Sequence, residues 1–150
     1  MSNESADTNG HAELAALAGD PEIASLFITE ALDHLGTIEA VVLQLETTPG
    51  DVKLLNDVFR PFHTIKGNAG ALGVGSVQEV AHKVENLLDL ARSGKHSIRG
   101  DEIEIVLRAV DLLTLMIGEL PARVAGDPGT DVSERRIALM CAVEDRKSVV

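Results

Sequence analysis

His63 stands three residues before Lys66, with Gly67 and Gly70 at the fourth and seventh positions beyond it. On a helix these intervals set an imidazole, an ammonium and two bare positions along one stripe. A neutral imidazole, with a reference pKa of about 6.5, offers a nitrogen lone pair near neutral pH. Glycine costs roughly 1 kcal/mol against alanine in a helix interior, so two glycines beside a histidine keep its surface open to something that approaches closely. The chain carries a formal net charge of -11, yet no Asp or Glu occurs between Asp57 and Glu79. Only Arg60 and Lys66 are charged there, and a basic window in an acidic protein favours an anion at His63.

Two helices must position these groups. Leu55, Val58, Phe62, Ile65, Ala69 and Leu72 recur at intervals of three and four, the apolar seam of an amphipathic helix. Phe59, His63, Lys66 and Gly70 form the neighbouring stripe, so one face suits a core and the next presents the chemistry. Pro61 interrupts this helix and leaves the carbonyl of Asp57 without its usual partner, so a bend is expected. The following helix has the seam Val77, Val80, Ala81, Val84, Leu87, Leu88 and Ala91, and beside it runs Gln78, His82, Glu85 and Asp89. That second stripe can offer His63 a hydrogen-bond acceptor, either Glu85 or His82.

Composition narrows the class. A chain of 150 residues is long enough for one domain with a real core. With 45% hydrophobic but only 2% aromatic residues, that core is aliphatic and suits helices packed on helices. Trp and Tyr are absent, which removes aromatic platforms for bases, and the negative charge opposes phosphate backbones. No nucleic-acid partner is expected. The single cysteine, Cys141, fits a reducing compartment. Met1 to Gly10 lacks the apolar core of a signal peptide, and no apolar run reaches the roughly 20 residues of a membrane span. A cytoplasmic protein without a membrane partner is the expectation.

In chain order, residues 1–19 read as a flexible lead, disordered to Gly10, with a short helix from His11 to Ala18. Asp20, Pro21 and Glu22 form a helix start: cap, first-turn proline and first-turn acid. That helix runs to about Glu46, with Phe27, Ala31, His34, Ile38, Val41 and Leu45 beside Ile28, Leu32, Leu35 and Val42. Its wide apolar face is what a bundle helix needs, and His34 on it reads as structural. Thr47-Thr48-Pro49-Gly50 breaks the chain, and Asp51 caps the helix that carries His63. Gly73-Val74-Gly75 ends that helix, and Ser76 with Glu79 reads as a capping box for the next. After a turn at Ser93 to His96, Asp101 caps a helix with Ile103, Val106, Val110, Leu113 and Ile117 inward. Pro121, Gly126, Pro128 and Gly129 mark a linker, and Asp131 to Arg146 forms a last helix with Ile137, Met140 and Val143 as its stripe. Residues 20–120 therefore read as an all-α, antiparallel up-and-down four-helix bundle. A short N-terminal helix precedes it, and residues 121–150 add a linker and a C-terminal helix.

Phe59 to Gly73, with Phe-His-Thr-Ile-Lys-Gly at its centre and Ala-Gly-Ala-Leu-Gly at its tail, resembles the histidine-containing phosphotransfer domains of two-component signalling. The likeness extends over roughly residues 23–117 and is greatest to the N-terminal domain of chemotaxis-type histidine kinases. It implies that His63 accepts a phosphoryl group and that Lys66 offsets its charge. It also implies that Glu85 orients the imidazole, that His82 joins the network, and that Gly67 and Gly70 give partners access beside the basic flank of Arg60. Asn68 departs from the small Ser or Ala common there.

The resemblance further implies a carrier without autonomous catalysis, or the phospho-accepting domain of a histidine kinase. It would bring no cofactor of its own. ATP and magnesium belong to the kinase catalytic domain that donates and to the response-regulator receiver that accepts. No Gly-rich phosphate loop follows a strand pattern. Two other classes are consistent with parts of the sequence. Glu79, His82 and Glu85 match one half of a di-metal helical bundle, though a second Glu-x-x-His is missing. A non-catalytic helical adaptor would use the bundle alone.

Overall fold

The computed structural model describes residues 4–95 and 97–148, with side chains from residue 12 onward; His11 and His96 lie outside the described side chains. Seven helices and no strands occur among the described residues: α1 (Glu4–Gly19), α2 (Pro21–Thr47), α3 (Val52–Ala71), α4 (Gly75–Arg92), α5 (Gly100–Gly118), α6 (Leu120–Val124) and α7 (Ser133–Lys147). Helices α2 to α5 form the bundle, with α3 against α2 and α4, and α5 closing the ring against both. Short connections make successive helices antiparallel.

The apolar seams face one core. Leu55, Val58, Phe62, Ile65 and Ala69 of α3 are buried, as are all seven seam residues of α4 and all five of α5. Phe62 is fully buried, and enclosing such a side chain stabilises the fold by roughly 1.5–3 kcal/mol. Helix α3 continues through Pro61, which is itself buried. On α2, His34 is half-buried and Val42, Leu45 and Phe27 are inside.

Cap chemistry holds where it acts within a few residues. Asp20 accepts from the Ile23 amide and Asp51 from those of Lys53 and Leu54. Helix α3 ends in a Schellman turn, with Val74 N–H on Ala69 O at 2.8 Å and Gly73 N–H on Gly70 O at 3.2 Å. Gly73 there has φ 77°, a left-handed conformation that only glycine adopts without strain.

Several expectations are corrected. Helix α1 begins at Glu4, well before His11, and its later part docks on the bundle, where Leu17 is buried and Leu14 packs on the core. Ser76 does not cap α4. It lies within the first turn, and the Glu13 carboxylate of α1 caps that helix instead, accepting from the Ser76 amide at 2.7 Å and its hydroxyl at 2.9 Å. Asp101 does not cap α5 either; Glu102 reaches back to the Arg99 amide at 2.9 Å. Part of the expected linker is the short helix α6, whose Leu120 is buried.

Helix α7 packs on α4 and α5. Leu139 and Val143 form its buried stripe, while Ile137, expected inward, is 64% exposed. Ionic links join α7 to α4 and α5: Arg136 to Glu79 at 3.2 Å, Lys83 to Glu144 at 3.3 Å, and Arg146 to Glu102 at 2.6 Å and to Asp101 at 3.3 Å.

Candidate functional site

Helices α3 and α4 make the most extensive contact in the molecule, and their chemical stripes meet along one edge of it. His63 projects from the middle of α3, and its Nδ1 lies 3.2 Å from Glu85 Oε1 on α4. With Nδ1 protonated, the imidazole donates to the carboxylate and Nε2 keeps its lone pair. The His63 side chain is 61% exposed, whereas Glu85 is 11% exposed. A buried carboxylate thus holds one nitrogen of an imidazole that otherwise faces solvent.

Lys66, one turn along α3, donates to Glu85 Oε1 at 3.0 Å and stands 2.9 Å from Oε2. Burial pushes the Glu85 carboxyl up, but the hydrogen bonds from Lys66 and His63 outweigh it and hold the group below the ordinary carboxylate range. The cluster is close to charge-balanced when His63 is neutral, so an anion arriving at Nε2 meets an ammonium already in place.

The other expected site residues divide. Gly67 is exposed, and a Cβ there would meet no atom within 4 Å. Gly70 is different: a Cβ would come within 2.6 Å of the Gln78 amide nitrogen. That nitrogen ends a flexible, exposed side chain, which would have to move aside. Arg60 is exposed on α3 beside the site. His82 lies exposed on α4, one turn before Glu85, and forms no hydrogen bond to His63 or Glu85 among the described residues. Nor does His34 on α2.

The metal alternative fails on geometry. Among the described residues, no three or more His, Cys, Asp or Glu side chains converge as a metal site. Glu79 turns toward Arg136 of α7, while Glu85 is taken by Lys66 and His63.

Two contacts were not foreseen. The Phe59 ring stacks on the His63 imidazole, with centroids 5.8 Å apart and planes 16° from parallel. The Arg92 guanidinium carbon lies 3.7 Å from the centre of the same phenyl ring. A signal for Arg92 was present, since it extends the stripe Gln78, His82, Glu85, Asp89 by one further interval of three.

An exposed imidazole on a four-helix bundle, with one nitrogen held by a buried carboxylate and a lysine one turn away, defines a phosphotransfer module. A family model of the Hpt domain matches residues 22–123, and the chain belongs to that family. Among curated relatives, it is 35% identical over 109 residues to the chemotaxis protein CheA of Bacillus subtilis, covering 73% of this chain and 16% of the relative. It is 33% identical over 107 residues to CheA of Halobacterium salinarum, covering 71% and 16%. The chain thus spans about one sixth of the length of these relatives.

Solved structures agree. The CheA phosphotransferase domain from Thermotoga maritima superposes with a TM-score of 0.64 at 34% identity, covering 67% of this chain and 95% of that one. The phosphorylated P1 domain of CheA3 in complex with CheY6 from R. sphaeroides gives 0.71 at 28% identity, covering 85% and 96%. The chain is a phosphotransfer domain of the type found in chemotaxis kinases. No helix among the described residues is long and apolar enough to cross a membrane.

Proposed function

We propose that His63 is the phosphoryl carrier of a chemotaxis-type relay. Its Nε2 lone pair attacks the γ-phosphorus of ATP held by a histidine kinase catalytic domain. The P–N bond forms as the bond to the departing ADP oxygen breaks. Nδ1 keeps its proton throughout and donates a hydrogen bond to Glu85, which steadies the developing imidazolium. An aspartate oxygen of a response-regulator receiver then attacks the same phosphorus, and the electron pair of the P–N bond returns to Nε2.

The other residues act around that exchange. Lys66, already beside the imidazole, offsets the phosphoryl charge as a point charge, and Arg60 adds to the positive field. Gly67 leaves the adjacent turn bare for the docking partner. The domain supplies neither nucleotide nor metal; both belong to its partners, and the exchange takes place in the cytoplasm.

The observation that carries this reading is the pairing of His63 Nδ1 with Glu85 at 3.2 Å, which leaves Nε2 free to attack. The complex of a phosphorylated CheA3 P1 domain with CheY6 supports a receiver as the acceptor. To test it, the chain is incubated with the catalytic core of a chemotaxis kinase and labelled ATP, and the acid-labile phosphate is mapped. His63→Gln should abolish labelling while the fold persists, because the side chain is mostly exposed. Label retained at the wild-type level in that variant would sink the assignment.

A further inference from the structure

His63 has few supports for an exposed catalytic-type side chain. Glu85 holds Nδ1, but one hydrogen bond leaves the ring free to rock about the bond axis, and with it the direction of the Nε2 lone pair. Among the described residues the ring that stacks on it is Phe59, one turn earlier on α3. Phe59 is itself half-buried at the bundle edge, so something must keep its ring upright. Arg92, in the last turn of α4, lays its guanidinium over that ring at 3.7 Å. Arg92 is in turn steadied by Asp89, whose carboxylate lies 3.5 Å from Nη2. A chain of contacts therefore runs Asp89, Arg92, Phe59, His63, entering the imidazole from the side away from Lys66.

We propose that Arg92 is a positioning residue for His63, acting through the Phe59 ring to fix the plane of the imidazole so that Nε2 faces the incoming phosphorus. This deepens the phosphotransfer reading and rests on it. The chemistry favours a cation in that place. A guanidinium is planar and weakly hydrated, so it lies flat on an aromatic face and gains from the ring quadrupole. An alkyl side chain would fill the space without that directional hold. The stacked phenyl lies 16° from parallel with the imidazole and opposes its tilting, and the hydrogen bond to Glu85 sets the remaining rotation. Two contacts from two helices thus define one ring orientation, as in-line transfer demands.

The test uses the full chain with Arg92→Leu, Arg92→Lys and Phe59→Leu. Long-range nitrogen–proton NMR of the imidazoles reads the His63 tautomer and ring environment directly, and transfer from a chemotaxis kinase core with labelled ATP reads the consequence. Arg92→Leu and Phe59→Leu should shift the His63 ring signals and mix in the second tautomer. Both should slow phosphorylation by about three- to tenfold, the scale of one cation–π or stacking contact. Arg92→Lys, which keeps the cation but not the plane, should fall between them and the wild type. His63 ring signals unchanged in Arg92→Leu would overturn the proposal whatever the transfer rates. A wild-type chain that takes no phosphate would overturn the phosphotransfer reading instead, and the ring signals would still decide the role of Arg92.

Discussion

Among the described residues two carboxylates are buried, Glu85 on α4 and Glu102 on α5, and they are put to opposite ends. Glu102 has no exposed surface and receives Arg146 at 2.6 Å together with the Arg99 amide at 2.9 Å. The ion pair ties α7 to the start of α5, and the amide bond caps α5 itself. Glu85 is also buried and also paired with a cation, but its other partner is an imidazole that is 61% exposed. One carboxylate fastens a helix, and the other spends a hydrogen bond on a group that holds nothing together. A buried charge is costly unless fully paired. At Glu85 the bonds from Lys66 and His63 outweigh the penalty of burial, and part of that pairing ends on a solvent-facing imidazole.

Breaking the fastening carboxylate should have the larger effect on folding. Removing one partner of a buried ion pair costs about 3–5 kcal/mol, so Glu102→Ala should lower the unfolding free energy by that order. Its transfer rate per folded molecule should stay near the wild type. Urea titration with parallel phosphorylation assays checks both. A loss of transfer matching that of site variants would mean the two regions are not separable.

At the other carboxylate the effect should move from stability to rate. Lys66→Ala removes an ammonium that bonds Glu85 and faces the anion site. A hydrogen bond to a charged group is worth about 1.5–3 kcal/mol, which corresponds to roughly one to two decades in transfer if fully expressed in the transition state. An unchanged rate would make Lys66 a mere counterion for Glu85.

The smallest expected effect is acid-sensitive. The folded Glu85 carboxyl lies below its unfolded value of 4.5, since the bonds from Lys66 and His63 outweigh the upward push of burial. Its pairing therefore contributes fully above that unfolded value and is lost as pH falls through the folded one. Stability curves of the wild type and Glu85→Gln should run parallel near neutrality and converge on the acid side. Parallel curves throughout would show that the pairing is not expressed in folding.

The helices and the proposed nucleophile's place on them were legible because the forces that specify helices act within a few residues. Apolar spacing of three and four placed Leu55, Val58, Phe62 and Ile65 in the core, and Asp20 and Asp51 capped helices through amides two or three residues away. His63 and Lys66 share a stripe by helix geometry alone, and the Hpt resemblance pointed to Glu85. The rest required residues far apart in the chain to meet. Glu13 took the cap assigned to Ser76, 63 residues on, because α1 crosses the end of the bundle. Gly70, an open position on paper, is covered by the Gln78 side chain of α4. Helix α7 turned Leu139 inward and Ile137 outward, a rotation that depends on how it docks on α4 and α5. Arg92 reached Phe59 only when α3 and α4 packed in one particular register. Periodicity and caps are properties of a segment, and the sequence carries them alone; which charge finds which partner depends on how helices cross, and only the tertiary structure decides that.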